Sequence, residues 1–384
     1  MVHLNHFHSI KYLPAILVGK LLLISTSHAG VVQFFDPSQI PQNQTIKAEY
    51  KTFLANNPMP IKEFLKDWDG DYTPKNGQNI ALLDSRFDLG GGVGKHYYLG
   101  YFYQYDLFID TVKDFTDLFY AVKNKNDLEV AREYALDLDI KGIKQHGLMF
   151  SGYGSMFEND DYSIAFGGAL YLSYGLEMQN GFIDGKAQSI NTKDYDIDAS
   201  SSYYYTHNYL YDLDVTSTHG YGYGSHVGLY FKDKKHNFQI KFLVNDLVSK
   251  MYWKDLPFSE ILLKTENKSH DENGYVKYAP TISGLEQYRD YTQTLTAKYK
   301  LEGSVVLDDS TIFGGIDLMH GENFPYVKIS HKLDEVQTIE LMHESRFGSF
   351  GFGYGYKNFK IAIIADAFSD VSSFGLSSSF FYRF

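Results

Sequence analysis

The tripeptide His343-Glu344-Ser345 sets an imidazole and a hydroxyl two residues apart, so on an extended strand both leave the same face. An imidazole in reach of a hydroxyl can take its proton and turn it into a nucleophile. That chemistry also needs a third group to orient the histidine, and Asn358 is only a loose candidate. An interfacial histidine beside a small polar residue is the plainer reading, and it is the one expected here. Other chemical signals fail in turn. Gly90-Gly91-Gly92-Val93-Gly94-Lys95 lacks the Ser or Thr that must follow a phosphate-loop lysine, and it sits in a hairpin. Gly152-Tyr153-Gly154-Ser155 has no strand–turn–helix around it to make a nucleophile elbow. Asp67-Trp68-Asp69-Gly70-Asp71 opens like a calcium loop, but Gln78 stands where the bidentate acid belongs. The 14 histidines are scattered and there are no cysteines, so no metal set, thiolate or disulfide is indicated. The expectation is a protein that is not an enzyme and has no cofactor or metal.

The elements carrying these residues have a simpler rhythm. In 97–109, Tyr97, Leu99, Tyr101, Tyr103, Tyr105, Leu107 and Ile109 share one face of a strand, and Tyr98, Gly100, Phe102, Gln104 and Asp106 share the other. Tyr221, Tyr223, Val227, Leu229 and Phe231 alternate with Gly222, Gly224, His226 and Gly228, and Phe350, Phe352, Tyr354 and Tyr356 with Gly351, Gly353 and Gly355. Apolar on one side and small or polar on the other, over about ten residues, is the pattern of a strand between lipid and a polar lumen. The chain ends in the same way, with Phe374, Leu376, Ser378, Phe380, Tyr382 and Phe384 on one face. The 33 tyrosines, 29 phenylalanines and 33 glycines suit strands, interfaces and close approaches.

The other terminus is consistent with this. Residues 1–29 run from His3, His6, His8 and Lys11 through an apolar stretch to Ser27-His28-Ala29, and are read as a signal peptide cleaved after Ala29. Removing it leaves 33 basic and 47 acidic residues, a formal charge of −14, which argues against nucleic acid as a partner. Such a balance would suit cations or neutral solutes better than anions.

Residues 30–78 look unlike the rest. Ile61, Phe64, Leu65 and Trp68 recur at helical spacing after Met59-Pro60 and form a candidate plug helix, with a helix on the periplasmic rim as the alternative. Fourteen strand segments follow from 79–90 to 373–384, including 194–211, 216–232 and 235–264. The fold expected is all-β: a transmembrane antiparallel β-barrel of about fourteen strands at 79–384, with a short helical periplasmic or plug segment at 30–78. An even count puts both termini in the periplasm and the acidic 265–287 stretch outside. It also puts an insertion at 111–134 on the periplasmic side. That insertion reads as helical through Phe115, Leu118, Phe119 and Val122, with further helical turns at Asp127–Tyr134.

Three resemblances follow. The ending through Phe380, Tyr382 and Phe384 resembles the signal read by the barrel-insertion machinery of the bacterial outer membrane. That implies a Gram-negative outer-membrane location with membrane lipid as a partner. His343 and Ser345 resemble the His-x-Ser arrangement of outer-membrane phospholipases and lipid A deacylases. If they act so, the protein would be a lipid-remodelling enzyme. In layout most of the chain, and in texture residues 309–384, resembles the long-chain fatty-acid channel superfamily, which includes the conjugal-transfer-type barrels. That resemblance implies porin-like passive transport of small, hydrophobic solutes through a plugged barrel. A structural or assembly component that binds partner proteins is the other expectation.

Overall fold

The computed structural model describes residues 31–39, 45–66, 68, 70–208, 218–265, 268–270, 276–278 and 282–383. The signal-peptide stretch and Phe384 lie outside them. The strands are β1 (Thr45–Asn56), β2 (Gln78–Val93), β3 (Tyr97–Val112), β4 (Glu133–Glu158), β5 (Tyr162–Ser189), β6 (Tyr195–Tyr205) and β7 (Gly220–Asp233). Next come β8 (Phe238–Asn245), β9 (Ser249–Lys264), β10 (Lys268–His270), β11 (Val276–Tyr278), β12 (Ile282–Gln293) and β13 (Lys298–Leu307). The chain finishes with β14 (Ser310–Met319), β15 (Glu322–Lys332), β16 (Gln337–Glu344), β17 (Ser349–Tyr356), β18 (Phe359–Ala365) and β19 (Ser373–Arg383). All but the β10–β11 hairpin join one antiparallel sheet of seventeen segments, which closes where β1 pairs with β19.

Three pairs of consecutive segments share a position in the ring. β5 pairs with β6 through Gln179–Ser189 and with β7 through Tyr162–Gly175, so β6 and β7 run on as one interrupted strand. β7 likewise meets β8 and then β9, and β12 and β13 lie alongside β9 and β8. Counted by segment, the sheet exceeds the expected fourteen. The difference has two sources: β1 is a strand within 30–78, where none is expected, while 194–211 and 216–232, expected as separate strands, share one position in the ring. The barrel therefore starts at Thr45, well before residue 79.

Restoring β1 also moves the insertion to the other end. β1 starts beside Arg383 and runs away from the C-terminal rim, so the turn Ile61–Phe64 and the helix Lys113–Asn124 both sit at the far rim, on the same side as the end of β9 at Lys264 and the start of β12 at Ile282. The rim holding the C-terminus keeps short turns such as Asp308-Asp309 and Lys357-Asn358. Residues 125–132 are turn and coil, and β4 starts at Glu133, so the further helical turns expected at Asp127–Tyr134 do not form.

Alternation explains both faces of the wall. Tyr97 and Leu99 are 51% and 53% exposed, while Tyr98 and Phe102 on the opposite face of the strand are buried in the lumen. Leu148, Phe150, Leu170, Leu172, Phe350 and Phe352 extend the apolar exterior. Such contiguous exposed apolar surface is what lipid covers. No helix among the described residues is long and apolar enough to cross a membrane. Inside, glycines let tyrosine rings lie along the wall. A Cβ on Gly315 would sit 2.6 Å from the Tyr326 ring, and the Gly224 Cα faces Tyr171 in the same way. The rings thereby fill the lumen without pushing the strands apart.

At the far rim the two irregular segments form one cap. Trp68 packs edge-on against Phe119 with centroids 4.5 Å apart, and Tyr72 stacks on Tyr120 at 4.2 Å. The Tyr72 hydroxyl donates to Asp117 at 2.7 Å, and Arg132 bridges Asp114 and Asp117 at 2.7 and 2.8 Å. Burial raises the Asp117 carboxyl, but hydrogen bonds from Lys113, Tyr72 and Arg132 outweigh it, so its pKa lies below the ordinary aspartate value.

Candidate functional site

The lumen is occupied by residues 31–39. Val31, Val32, Phe34 and Phe35 are all buried, in contact with side chains that the alternation turns inward. Val31, Val32 and Phe34 join a cluster with Phe53, Met319, Phe324, Met342 and Ile364, drawn from strands far apart in the chain. Phe35 lies against Tyr98 and His226, with ring centroids 5.9 and 5.8 Å away.

The polar anchors are spaced around the ring. On β2, Asp84 accepts the Gln33 N–H at 2.7 Å, and on β14 Asp317 accepts the Val32 N–H at 3.2 Å. On β7 the Tyr230 hydroxyl donates to Asp36 at 2.6 Å and accepts from the Ser38 N–H at 3.1 Å. On β8, Lys241 reaches Asp36 at 3.1 Å. Each anchor is itself buttressed. Lys298 lies 2.9 Å from Asp84 and 2.8 Å from Asp106, and Lys300 lies 3.0 Å from Asp317. Arg86 pairs with Asp88 at 2.9 Å and stacks over Phe102. Buried charges persist only when paired in this way.

Two cavities flank this layer. One of about 240 Å³ lies between the plug and the C-terminal rim, lined among others by Phe34, Asp36, Lys241, Glu302, Phe313 and Lys328. A smaller one of about 110 Å³ lies toward the far rim, beside Gln104, Asp106, Asn180, Tyr291 and His320.

The residues singled out from the sequence fall as follows. Ile61 and Phe64 belong to a single helical turn; with Leu65 they line an apolar pocket with Leu54, Leu83, Leu107 and Ile109 at the far rim. Trp68 is held against Phe119, so this stretch sits on the rim, and the lumen is filled by 31–39 instead. Phe380 and Tyr382 are exposed on the outer face of β19, and Phe384 lies outside the described residues. His343 and Ser345 are turned to other partners. The histidine Nδ1 meets the Ser349 carbonyl at 3.2 Å and its ring lies over Phe350, while the Ser345 hydroxyl donates to the Pro325 carbonyl. Of the aspartate-rich turn, Asp67 and Asp69 lie outside the described residues. Among the described residues no group of three or more His, Asp or Glu is arranged to hold a metal ion.

The sequence pointed to a plug within 30–78 but placed it on the helix at 61–68, and did not single out 31–39. The apolar run of 31–39 follows directly on the leader-like stretch, and its anchors lie 51 and 285 residues away.

An apolar exterior, a closed antiparallel ring and a strap packed in the lumen define a plugged transmembrane β-barrel. Solved structures similar to the chain include the TodX deltaS2S3 mutant monoaromatic hydrocarbon channel, 9% identical over 90% of this chain and 92% of that one, with a TM-score of 0.44. They also include a Pseudomonas aeruginosa FadL homologue, 11% identical over 94% and 99%, TM-score 0.40. The Pseudomonas putida toluene transporter TodX is 9% identical over 94% and 96%, TM-score 0.39. Comparison with protein-family models finds no match, and comparison with curated proteins finds none.

Proposed function

We propose that the protein is an outer-membrane channel passing small, hydrophobic solutes passively through a lumen that residues 31–39 close. The observation that carries this reading is the strap itself: nine residues occupy the bore of a barrel whose outside suits lipid. In this reading the far rim, with the long connections, faces the outside, and the rim with the C-terminus faces the periplasm. Residues 1–29 act as the export signal, and Phe380, Tyr382 and Phe384 are what the insertion machinery reads. The apolar pocket of Leu54, Ile61, Phe64, Leu83, Leu107 and Ile109 supplies an outer surface where hydrophobic solutes can collect.

The energetics favour a displaceable strap. Burying Val31, Val32, Phe34 and Phe35 contributes about 6–12 kcal/mol, and each hydrogen bond anchoring the strap adds about 1 kcal/mol. Ordering nine residues costs about 9–18 kcal/mol. The two sides nearly cancel, so a modest change of contacts can release the strap.

The test is deletion of residues 31–39 with β1 left intact, followed by conductance in planar bilayers and uptake of a small aromatic hydrocarbon into vesicles. Both should rise. A folded deletion variant with unchanged conductance and uptake would overturn gating by this segment and favour a structural component that binds partner proteins.

A further inference from the structure

The outer face of the wall carries a line of aromatic rings that marks where lipid ends. His146 on β4 lies 5.7 Å from Tyr101 on β3 and 5.6 Å from Tyr174 on β5, and Tyr174 lies 5.2 Å from Tyr221 on β7, centroid to centroid. Tyr252 on β9 pairs directly with Tyr221 and continues the line. Toward the C-terminal rim the outward residues are apolar, with Leu148 and Phe150 on β4 and Leu170 and Leu172 on β5. Toward the far rim the next pair is charged, Lys144 with Glu177 at 2.5 Å. Tyr221 stands twelve residues up β7 from Asp233. At about 3.3 Å per residue and a tilt of about 40°, it lies about 30 Å above the C-terminal rim, just past an apolar band about 25 Å tall. The tyrosines therefore sit at head-group level.

One lysine breaks this pattern. Lys250 is exposed on the outer face of β9, directly opposite Tyr223 and one outward position below Tyr252, so its Cα lies on the lipid side of the tyrosine line. A lysine there is tolerated when its stem runs up the wall and its ammonium reaches the head groups. Lys254 is exposed one outward position above Tyr252. The two lysines thus bracket the line, about 13 Å apart along the strand. Among the described residues neither has a carboxylate within 4.0 Å. Asp290, on the neighbouring strand, accepts the Asp255 N–H at 3.0 Å. Two cations beside exposed tyrosines, in a chain whose overall balance is acidic, call for an anion from the membrane itself. The amphiphile that fits has acyl chains below the line and two phosphates at it, held apart by a spacer of disaccharide size. We infer that the outer face of β7 and β9 binds lipid A, the bisphosphorylated glycolipid of the Gram-negative outer leaflet, with one phosphate on Lys250 and the other on Lys254. This rests on the outer-membrane reading with the far rim outside, and not on gating by the strap.

The probe is bisphosphorylated lipid A, with monophosphoryl lipid A and phosphatidylglycerol as comparisons, titrated onto the full-length folded barrel in one detergent and counted by native mass spectrometry. Lipid A should bind as a single molecule, more tightly than either comparison. Lys250→Gln and Lys254→Gln should each weaken it about fivefold, the effect of one basic residue on an anionic lipid. The double variant should bind bisphosphorylated and monophosphoryl lipid A alike. Lys95→Gln, in the turn at the C-terminal rim, removes the same charge elsewhere and should leave binding unchanged. Both tested lysines are exposed, and circular dichroism checks that the variants keep the barrel. Unchanged lipid A binding in the folded double variant would overturn the site, and so would an equal loss in K95Q. Phosphatidylglycerol held as tightly as lipid A, with the same dependence on the two lysines, would overturn the glycolipid assignment. None of these outcomes alters the conductance expected after deletion of residues 31–39, so the channel reading and this one fail separately.

Discussion

Replacing Lys298 with methionine removes one positive charge while keeping an unbranched side chain of similar length. Lys298 is 2% exposed and bridges Asp84 and Asp106, which face each other directly across β2 and β3. In Lys298→Met two adjacent, buried carboxylates lose their shared counter-ion. Removing one partner of a buried ion pair costs about 3–5 kcal/mol, a hundredfold to several-thousandfold change in the ratio of folded to unfolded protein. Asp84 also accepts the Gln33 N–H, so the loss reaches the strap as well as the wall. The assay is urea unfolding of the barrel in lipid vesicles, followed through the buried Trp253, with bilayer conductance measured alongside. K298M should unfold at markedly lower urea and conduct more. The triple variant Asp84→Asn, Asp106→Asn, Lys298→Met should recover most of the stability, since neutral hydrogen-bonding groups need no counter-charge. A K298M barrel within about 1 kcal/mol of wild type would refute the argument, as would a triple variant weaker than the single one.

Two further outcomes follow from the wall and the cap. Gly315→Val must displace the Tyr326 ring that a Cβ would meet at 2.6 Å, an overpacking that costs about 1–3 kcal/mol and reads out as a lower urea midpoint. The cap should loosen in acid. Because the folded pKa of Asp117 lies below the usual aspartate value near 3.9, its contribution is complete above that pH and is lost as pH falls through the folded value. Amide-exchange protection of Lys113–Asn124 should therefore drop below about pH 4, and Asp117→Asn should be unprotected already at pH 7 and show no acid step.

The wall was legible because its code is local. Period-two alternation at Tyr97–Ile109 and Phe350–Tyr356 reports directly on lipid and lumen, and the exposures follow it. β1 was not legible. Lys47 and Lys51 face the larger cavity and share Glu49 between them, and from the sequence three alternate charges resemble a solvated loop. The β6–β7 position misled for the opposite reason, since β6 ends at Tyr205 and β7 starts at Gly220 on the same ring position, which reads as two strands. Missing β1 inverted the sidedness of the 111–134 insertion, which no local property of that stretch could reveal. The rim helix had a genuine amphipathic face, but amphipathicity says only that the face is covered. Trp68 found Phe119 about fifty residues along the chain, and nothing in either neighbourhood names the other. The strap depends on ionic partners from β2, β13 and β14, whose closeness exists only once the ring does.

The seam between β1 and β19 joins Thr45 to Arg383 and Ala55 to Ser373, so the first and last described strands of the sheet are immediate neighbours. Until β19 docks on β1, the sheet has two raw edges, each able to recruit a foreign strand. A chain truncated even one strand short would lack the partner that closes β1, and no other segment could take its place without shifting every register behind it. Closure is thus checked by geometry: only with both β1 and β19 in place does the sheet become an edgeless ring.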